Sequence, residues 1–156
     1  MNAGMTDIEW VIAVTQIQNL KARRVRALDT KDWATYGSLH AEDHVSNNEG
    51  EPQYDAKTNL VRLAKLLHAG ITTVHHAHTP DIQFQDPQTA SGIWAMEDML
   101  YWKQGGQDHW LHGFGFYHET YAKRGGEWKF TSRRLRRIKV LTSPGAETTA
   151  ADNPAG

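Results

Sequence analysis

Three histidines fall within four positions of the stretch TTVHHAHTPDI: His75, His76 and His78, out of nine in the chain. Imidazoles at that density support three readings. The first is structural, with half-buried polar side chains in a strand bonded to backbone groups. The second is a metal site, because Gly70, five residues and then His76-Ala-His78 copies the first half of a cupin motif, in which two histidines at period two share a strand face. A cupin then needs a glutamate a few residues on. Ile82 and Gln83 stand there and no second Gly- and His-containing half follows, so no metal is expected. The third reading is acid–base chemistry by His75. Imidazole titrates near pH ~6.5, so a small shift makes it a base at neutral pH. Such a base needs a carboxylate on its other ring nitrogen to hold the tautomer. The sequence offers Asp29, where the first helix ends and the chain turns.

The elements that must position these groups are legible in the hydrophobic periodicity. Thr6 and Glu9 form a capping-box pattern, and Ala13, Ile17, Leu20 and Leu28 follow at helical spacing, which predicts a helix over roughly residues 7–28. Arg24 falls on that apolar stripe, where a cation needs a partner or a wet cavity. The stretch DTKDWATYGSLHAED reads as a break at Asp29 and a short second helix. DAKTNLVRLAKLLHAG reads as a third, with Leu60, Leu63, Ala64 and Leu67 on one face and Gly70 as its stop. From Val74 the period changes to two, predicting four long strands near 74–85, 90–103, 108–123 and 127–141 separated by the turns DPQ, QGGQ and RGGE. Helices followed by an antiparallel meander mean an α+β fold, a cone-shaped barrel with N-terminal helices on a strongly curved, mostly antiparallel sheet whose mouth takes a small molecule.

Composition bounds the rest. With 156 residues the chain suits one domain, placed at residues 7–141, and the small, polar, Pro- and Gly-containing segment 143–156 reads as a disordered tail. A net charge of −1 argues against a polyanion-binding surface, and the absence of cysteine excludes thiolate metal sites and thiol nucleophiles. The N-terminus lacks a basic signal-peptide region and no apolar run reaches a membrane span, so a cytoplasmic location without membrane association is expected. In the basic run RRLRRIK, strand alternation sends Arg133 and Arg137 one way and Arg134 and Arg136 the other, so no continuous nucleic-acid stripe forms.

Four stretches together, IQNLKARRVRALDTKDW, LHAEDHVSNNEG, TVHHAHTPDIQF and YHETYAKRGGEWKFTSRRL, resemble the SnoaL-like branch of the nuclear transport factor 2-like superfamily over roughly residues 7–141. That branch includes scytalone dehydratase, bile-acid 7α-dehydratase and hexachlorocyclohexane dehydrochlorinase. The resemblance implies a catalytic set in which an aspartate ending the first helix, Asp29, pairs with a histidine opening the first long strand, His75. An arginine five residues beyond the strand tryptophan, Arg133, completes it, and Arg24 occupies the position of a pocket lysine or tyrosine. It further implies that Met96, Asp98, Leu111, Gly113 and Tyr117 face inward from the second and third long strands, joined by Ser46 and Asn48 from the segment after the second helix. Plain core filling is the competing role for Met96 and Leu111.

These residues would support a lyase or isomerase that needs no cofactor. His75 removes a proton, Asp29 holds its tautomer, and Arg133 and Arg24 stabilise charge on a departing or enolate oxygen of a small, aromatic or polycyclic hydroxylated substrate. Dehydration, elimination, retro-aldol cleavage and double-bond migration remain open. The same cone also serves non-catalytic binding or assembly modules such as dioxygenase β subunits. Regular alternation along the last strand puts Lys129, Thr131, Arg133, Leu135 and Arg137 on one face and Trp128 and Phe130 on the other. With Trp94, those two make the outer sheet face apolar enough to expect a homodimer or homotrimer.

Overall fold

The computed structural model describes residues 3–47, 54–55 and 57–148. Helix α1 (Asp7–Asp29) opens with the expected capping box: the Thr6 hydroxyl accepts from the Glu9 N–H at 3.3 Å while the Glu9 carboxylate accepts from the Thr6 N–H at 2.8 Å. Its buried stripe runs through Ala13, Ile17, Leu20, Ala27 and Leu28, and carries Lys21 as well as Arg24. The helix ends in a left-handed turn in which the Asp32 N–H reaches back to the Ala27 carbonyl at 2.8 Å. Glycine usually occupies the left-handed position of such a turn. Lys31 sits there with φ 60°, at a cost on the order of 1 kcal/mol, and its Nζ donates to the Thr73 hydroxyl at 2.9 Å.

Helices α2 (Trp33–Ser38) and α3 (Lys57–Leu67) follow, interleaved with β1 (His40–Ser46) and the two-residue β2 (Tyr54–Asp55). The meander is β3 (Thr72–Asp86), β4 (Thr89–Gln104), β5 (Gln107–Arg124) and β6 (Glu127–Thr142). The curled, unclosed sheet runs β2-β1-β6-β5-β4-β3, antiparallel except where β1 lies parallel to β6. The last two hairpins turn on Gly105-Gly106 (φ 58° and 81°) and Gly125-Gly126 (φ 60° and 84°), pairs of left-handed residues whose twist matches that of the strands. β1 and β2 lie outside the four strands expected from periodicity. HAEDHVS does not alternate cleanly, and β1 is held by a partner some 90 positions along the chain.

Two bulges decide which side chains face inward. Along β5 and β6 the partners run Glu119↔Arg133, Thr120↔Ser132 and then Tyr121↔Phe130, so Thr131 is an extra residue. One inserted residue reverses strand parity. Trp128 and Phe130 before it therefore share the inner face with Arg133, Leu135 and Arg137 after it. This corrects the expectation from regular alternation: Trp128, Phe130 and Trp94 are all core residues, not an outer apolar face. The sheet side chains that do expose apolar surface outward are Ile93, Tyr101, Trp110, Phe116, Ile138 and Leu141. Ile138 is the extra residue of the second bulge, between Gly115↔Arg137 and Phe114↔Lys139. Gly115 permits this close approach, since a β-carbon there would lie 2.2 Å from the Arg136 carbonyl oxygen.

The inner face is divided along its length. Under the first turns of α1, Ala13, Ile17 and Leu20 pack on Trp94, Met96, Tyr117, Tyr121, Trp128 and Phe130, burying side chains worth about 1.5–3 kcal/mol each for the larger ones. Inside this core Lys21 donates to Glu119 at 2.5 Å and lies 3.8 Å from the Tyr117 ring centre, while the Tyr121 hydroxyl gives its proton to the other Glu119 oxygen at 2.7 Å. Burial pulls the Lys21 amine down to about 7, with the Glu119 charge opposing. A second cluster of Ala27, Leu28, Tyr36, Leu60 and Ala64 joins the end of α1 to α2 and α3. The side chain of Leu63 lies outside the described residues. Residues 143–148, placed with the tail in the sequence reading, carry hydrogen bonds: His109 Nδ1 meets the Ser143 hydroxyl at 3.0 Å, and Gln104 bonds the Gly145 carbonyl and the Glu147 N–H. The remainder of that tail, 149–156, lies outside the described residues. Among the described residues no helix is long and apolar enough to cross a membrane.

Two stability measurements follow. Gly115→Ala forces a β-carbon into backbone that cannot rotate away, and urea unfolding will show a loss of about 3 kcal/mol. Lys21→Met and Glu119→Gln, each leaving one buried charge unpaired, will each lose about 3–5 kcal/mol, whereas the double variant recovers most of it. Additive losses in the double variant would show the pair not to be coupled.

Candidate functional site

Beyond the core, the end of α1, helix α3 and the inner faces of β1 and β3–β6 line a half-open cavity of about 230 Å³. Asp29 is the last residue of α1, and the turn at Lys31 lays it against the start of β3. Its Oδ1 stands 2.6 Å from His75 Nδ1 and accepts the Thr73 hydroxyl at 2.9 Å, and its Oδ2 accepts the His75 backbone N–H at 2.9 Å. Burial alone would raise this carboxyl. The hydrogen bonds from the His75 ring and backbone, with the Thr73 bond, outweigh it and hold Asp29 below the ordinary aspartate range. An ionised carboxylate only accepts, so His75 carries its proton on Nδ1. Nε2 has no protein partner among the described residues, and the ring is part of the cavity wall.

Arg24, 1% exposed, lines the same cavity. Its Nε donates to His40 Nε2 at 3.2 Å and its Nη2 to the Tyr36 hydroxyl at 2.9 Å. His40 gives its Nδ1 proton to the Tyr36 carbonyl at 2.7 Å, and burial together with the Arg24 charge holds its pKa well below the usual imidazole value. Arg133 lines the cavity from β6, hydrogen-bonded to the Tyr117 hydroxyl and with its guanidinium 4.6 Å from that ring's centre.

Of the side chains expected to bind substrate, Ser46 and Leu111 are on the wall, and Ser46 Oγ is buried without a hydrogen-bond partner among the described residues. Asp98 is on the wall too, but both its oxygens are held at 2.9 Å by Arg137. Burial would raise its carboxyl, and the Arg137 hydrogen bonds and charge keep it low. Met96 and Tyr117 face inward as expected yet belong to the packed core, under the part of the sheet that α1 covers. The Tyr117 ring lies against Lys21 and Arg133 instead of opening to the cavity. Asn48 lies outside the described residues.

Several participants had no distinguishing mark in the sequence. His68, from the end of α3, lines the cavity with its ring centre 6.3 Å from that of His75. Its Nδ1 proton goes to the Ala64 carbonyl at 2.8 Å, and burial draws its pKa down to about 4, leaving a neutral ring whose Nε2 only accepts. Arg137 shares the inner face with Arg133, as strand alternation had placed it, and Gly113 makes room for it: a β-carbon at Gly113 would fall 2.0 Å from Arg137 Nη1 and 2.4 Å from Asp98 Oδ1. Tyr36, on α2, and His40, the first residue of β1, are joined across the end of the helix by the bond from His40 Nδ1 to the Tyr36 carbonyl. His76 and His78 point outward with His112, all three reaching Glu97, at 3.0, 3.7 and 3.4 Å. No group of side chains among the described residues is arranged to hold a metal ion.

The same architecture occurs in proteins of known structure. A type 2 hexachlorocyclohexane dehydrochlorinase superposes with a TM-score of 0.81 at 18% identity, covering 92% of this chain and 97% of its own. The type 3 enzyme of Novosphingobium barchaimii gives 0.78 at 18%, with 92% and 99% covered. A scytalone dehydratase-like protein of Novosphingobium aromaticivorans gives 0.79 at 19%, with 97% and 98% covered. At such identities the likeness speaks for the fold. The pattern of the SnoaL-like domain matches residues 11–134, most of the chain, which therefore belongs to the SnoaL-like domain family of the nuclear transport factor 2-like superfamily.

Proposed function

We propose that the protein is a cofactor-independent lyase, with isomerisation as the variant chemistry of the same site, acting on a small hydroxylated or otherwise substituted ring. The observation that carries this reading is the 2.6 Å contact between Asp29 and His75 Nδ1, which leaves Nε2 without a protein partner among the described residues on a ring that lines a half-open cavity. Asp29 fixes the tautomer and stabilises the imidazolium formed when Nε2 takes a proton from substrate carbon or hydroxyl, worth about 10²–10⁴-fold. Arg133, oriented by Tyr117, and Arg24, oriented by Tyr36 and His40, stabilise negative charge as it develops on an enolate oxygen or leaving group. Three partners hold Asp29 and two hold Arg24, so little reorganisation accompanies the reaction.

The volume suits one substituted ring. A cavity of about 150 Å³ holds benzene, and this one is about 230 Å³. The dehydrochlorinase and scytalone dehydratase-like neighbours agree with elimination of a β-substituent. Intracellular location and assembly as a homodimer or homotrimer form part of the same proposal, with the exposed Ile93, Trp110 and Phe116 side chains as the assembling face.

The experiment is to incubate single-ring alcohols and halides with the protein in D₂O, following loss of water or halide and deuterium incorporation by mass spectrometry. Deuterium uptake reports proton abstraction even where no group leaves. We expect turnover that falls about 10²–10⁴-fold in His75→Asn and about 10²–10³-fold in Arg133→Met. Turnover unchanged in His75→Asn and Asp29→Asn would sink the reading. Asp29 also makes a pH prediction. Its folded pKa is below 3.8, so the folded state binds fewer protons than the unfolded chain just under that value. The carboxylate's contribution to stability is complete above the unfolded pKa and disappears as pH falls through the lower folded one. Denaturant unfolding of wild type and Asp29→Asn will accordingly differ at neutral pH and converge as pH drops below 3.8.

A further inference from the structure

Arg24 differs from Lys21, the other buried cation of α1, in how it is compensated. Lys21 has Glu119. Arg24, one turn further along α1, has only the neutral His40 ring and the Tyr36 hydroxyl, and no ion pair joins it to a carboxylate among the described residues. Glu119 feels the Arg24 charge, but its oxygens are engaged by Lys21 and Tyr121. A guanidinium withdrawn from water without a counter-charge is costly. On the wall of the same cavity, Ser46 Oγ is fully buried and has no hydrogen-bond partner among the described residues, and Ser46 is the register neighbour of Arg133 across β1 and β6. Arg24 and Arg133 both line the cavity, and their charges act together on His40 and His44.

The wall formed by His75 and His68 is the opposite in character. With both Nδ1 protons committed, to Asp29 and to the Ala64 carbonyl, each ring is left with Nε2 as its acceptor, and both residues line the cavity. Two lone pairs there repel an anion and welcome a hydroxyl donor. We infer that the substrate is a hydroxylated ring carboxylic acid, its carboxylate seated on Arg24 and Ser46 and a hydroxyl directed to His68. This inference rests on reading the cavity as the lyase site. It also separates the tasks of the two arginines: Arg24 neutralises the charge the substrate brings, and Arg133 the charge that develops in the reaction. His68 is then a specificity-determining residue.

The test is equilibrium binding of benzoate, 3-hydroxybenzoate and their amides to the full chain at pH 7 by calorimetry. The amides keep shape and size and remove the charge. We expect both carboxylates to bind at least about tenfold more tightly than their amides, which is about 1.4 kcal/mol. That preference should fall about tenfold in Arg24→Gln and several-fold in Ser46→Ala. His68→Gln should erase the advantage of 3-hydroxybenzoate over benzoate while leaving the carboxylate preference. Amides binding as well as carboxylates, neither carboxylate binding, or a preference that survives in Ser46→Ala and a folded Arg24→Gln overturns the inference. If Arg24→Gln fails to fold, the wild-type comparison and Ser46→Ala decide. His75→Gln separates the two readings, since it abolishes turnover without altering the carboxylate preference. Carboxylates bound selectively but never turned over would count against the lyase alone.

Discussion

The contact between the Asp29 carboxylate and the start of β3 organises the molecule. One side chain at the end of α1 accepts a ring N–H, a backbone N–H and a hydroxyl from two residues of the strand, and the hydroxyl in turn accepts from Lys31. This ties the helical layer to the edge strand of the sheet at the point where packed core gives way to cavity. The same bonds that lock helix to strand also lock the imidazole tautomer. The join between helix and strand and the tautomer of the ring therefore depend on one carboxylate remaining ionised, and its hydrogen-bond partners favour that form.

Helix α1 places two long cations on its buried face three residues apart, and their surroundings give them different characters. Lys21 lies in the packed half, meets Glu119 and becomes part of a neutral internal network with Tyr121 and Trp94. Arg24 lies at the boundary, oriented by a tyrosine and a neutral histidine that fix its direction without cancelling its charge. Arg137, by contrast, is bound at both amino groups by Asp98 and serves to stiffen the wall.

The inner face of β6 shows how a small irregularity assigns roles. Without the extra Thr131, Trp128 and Phe130 could not share a face with Arg133 and Leu135. The strand would supply either the core or the cavity but not both. The bulge lets one strand do both, apolar residues beneath the first turns of α1 and cations further along. Gly115 and Gly113 extend this arrangement, the first admitting the second bulge and the second making room for the Arg137–Asp98 pair.

The sequence by itself determined the helix stripe of α1, the capping box, the four long strands and their glycine turns, because each is a local pattern of period or turn chemistry. It also marked Arg24, a cation on an apolar stripe, and paired Asp29 with His75 through the chemistry a base requires. Only the tertiary structure decided the rest. β1 is a strand because β6 lies beside it, and nothing within HAEDHVS announces that partner. The direction of Trp128 and Phe130 depends on a bulge, which changes parity without any residue type that signals it. Met96 and Tyr117 belong to the core because α1 covers that half of the sheet, and His68 belongs to the cavity because α3 ends over β3. These are consequences of contacts between segments far apart in the chain, where register and coverage, rather than the local pattern of residues, set which atoms meet.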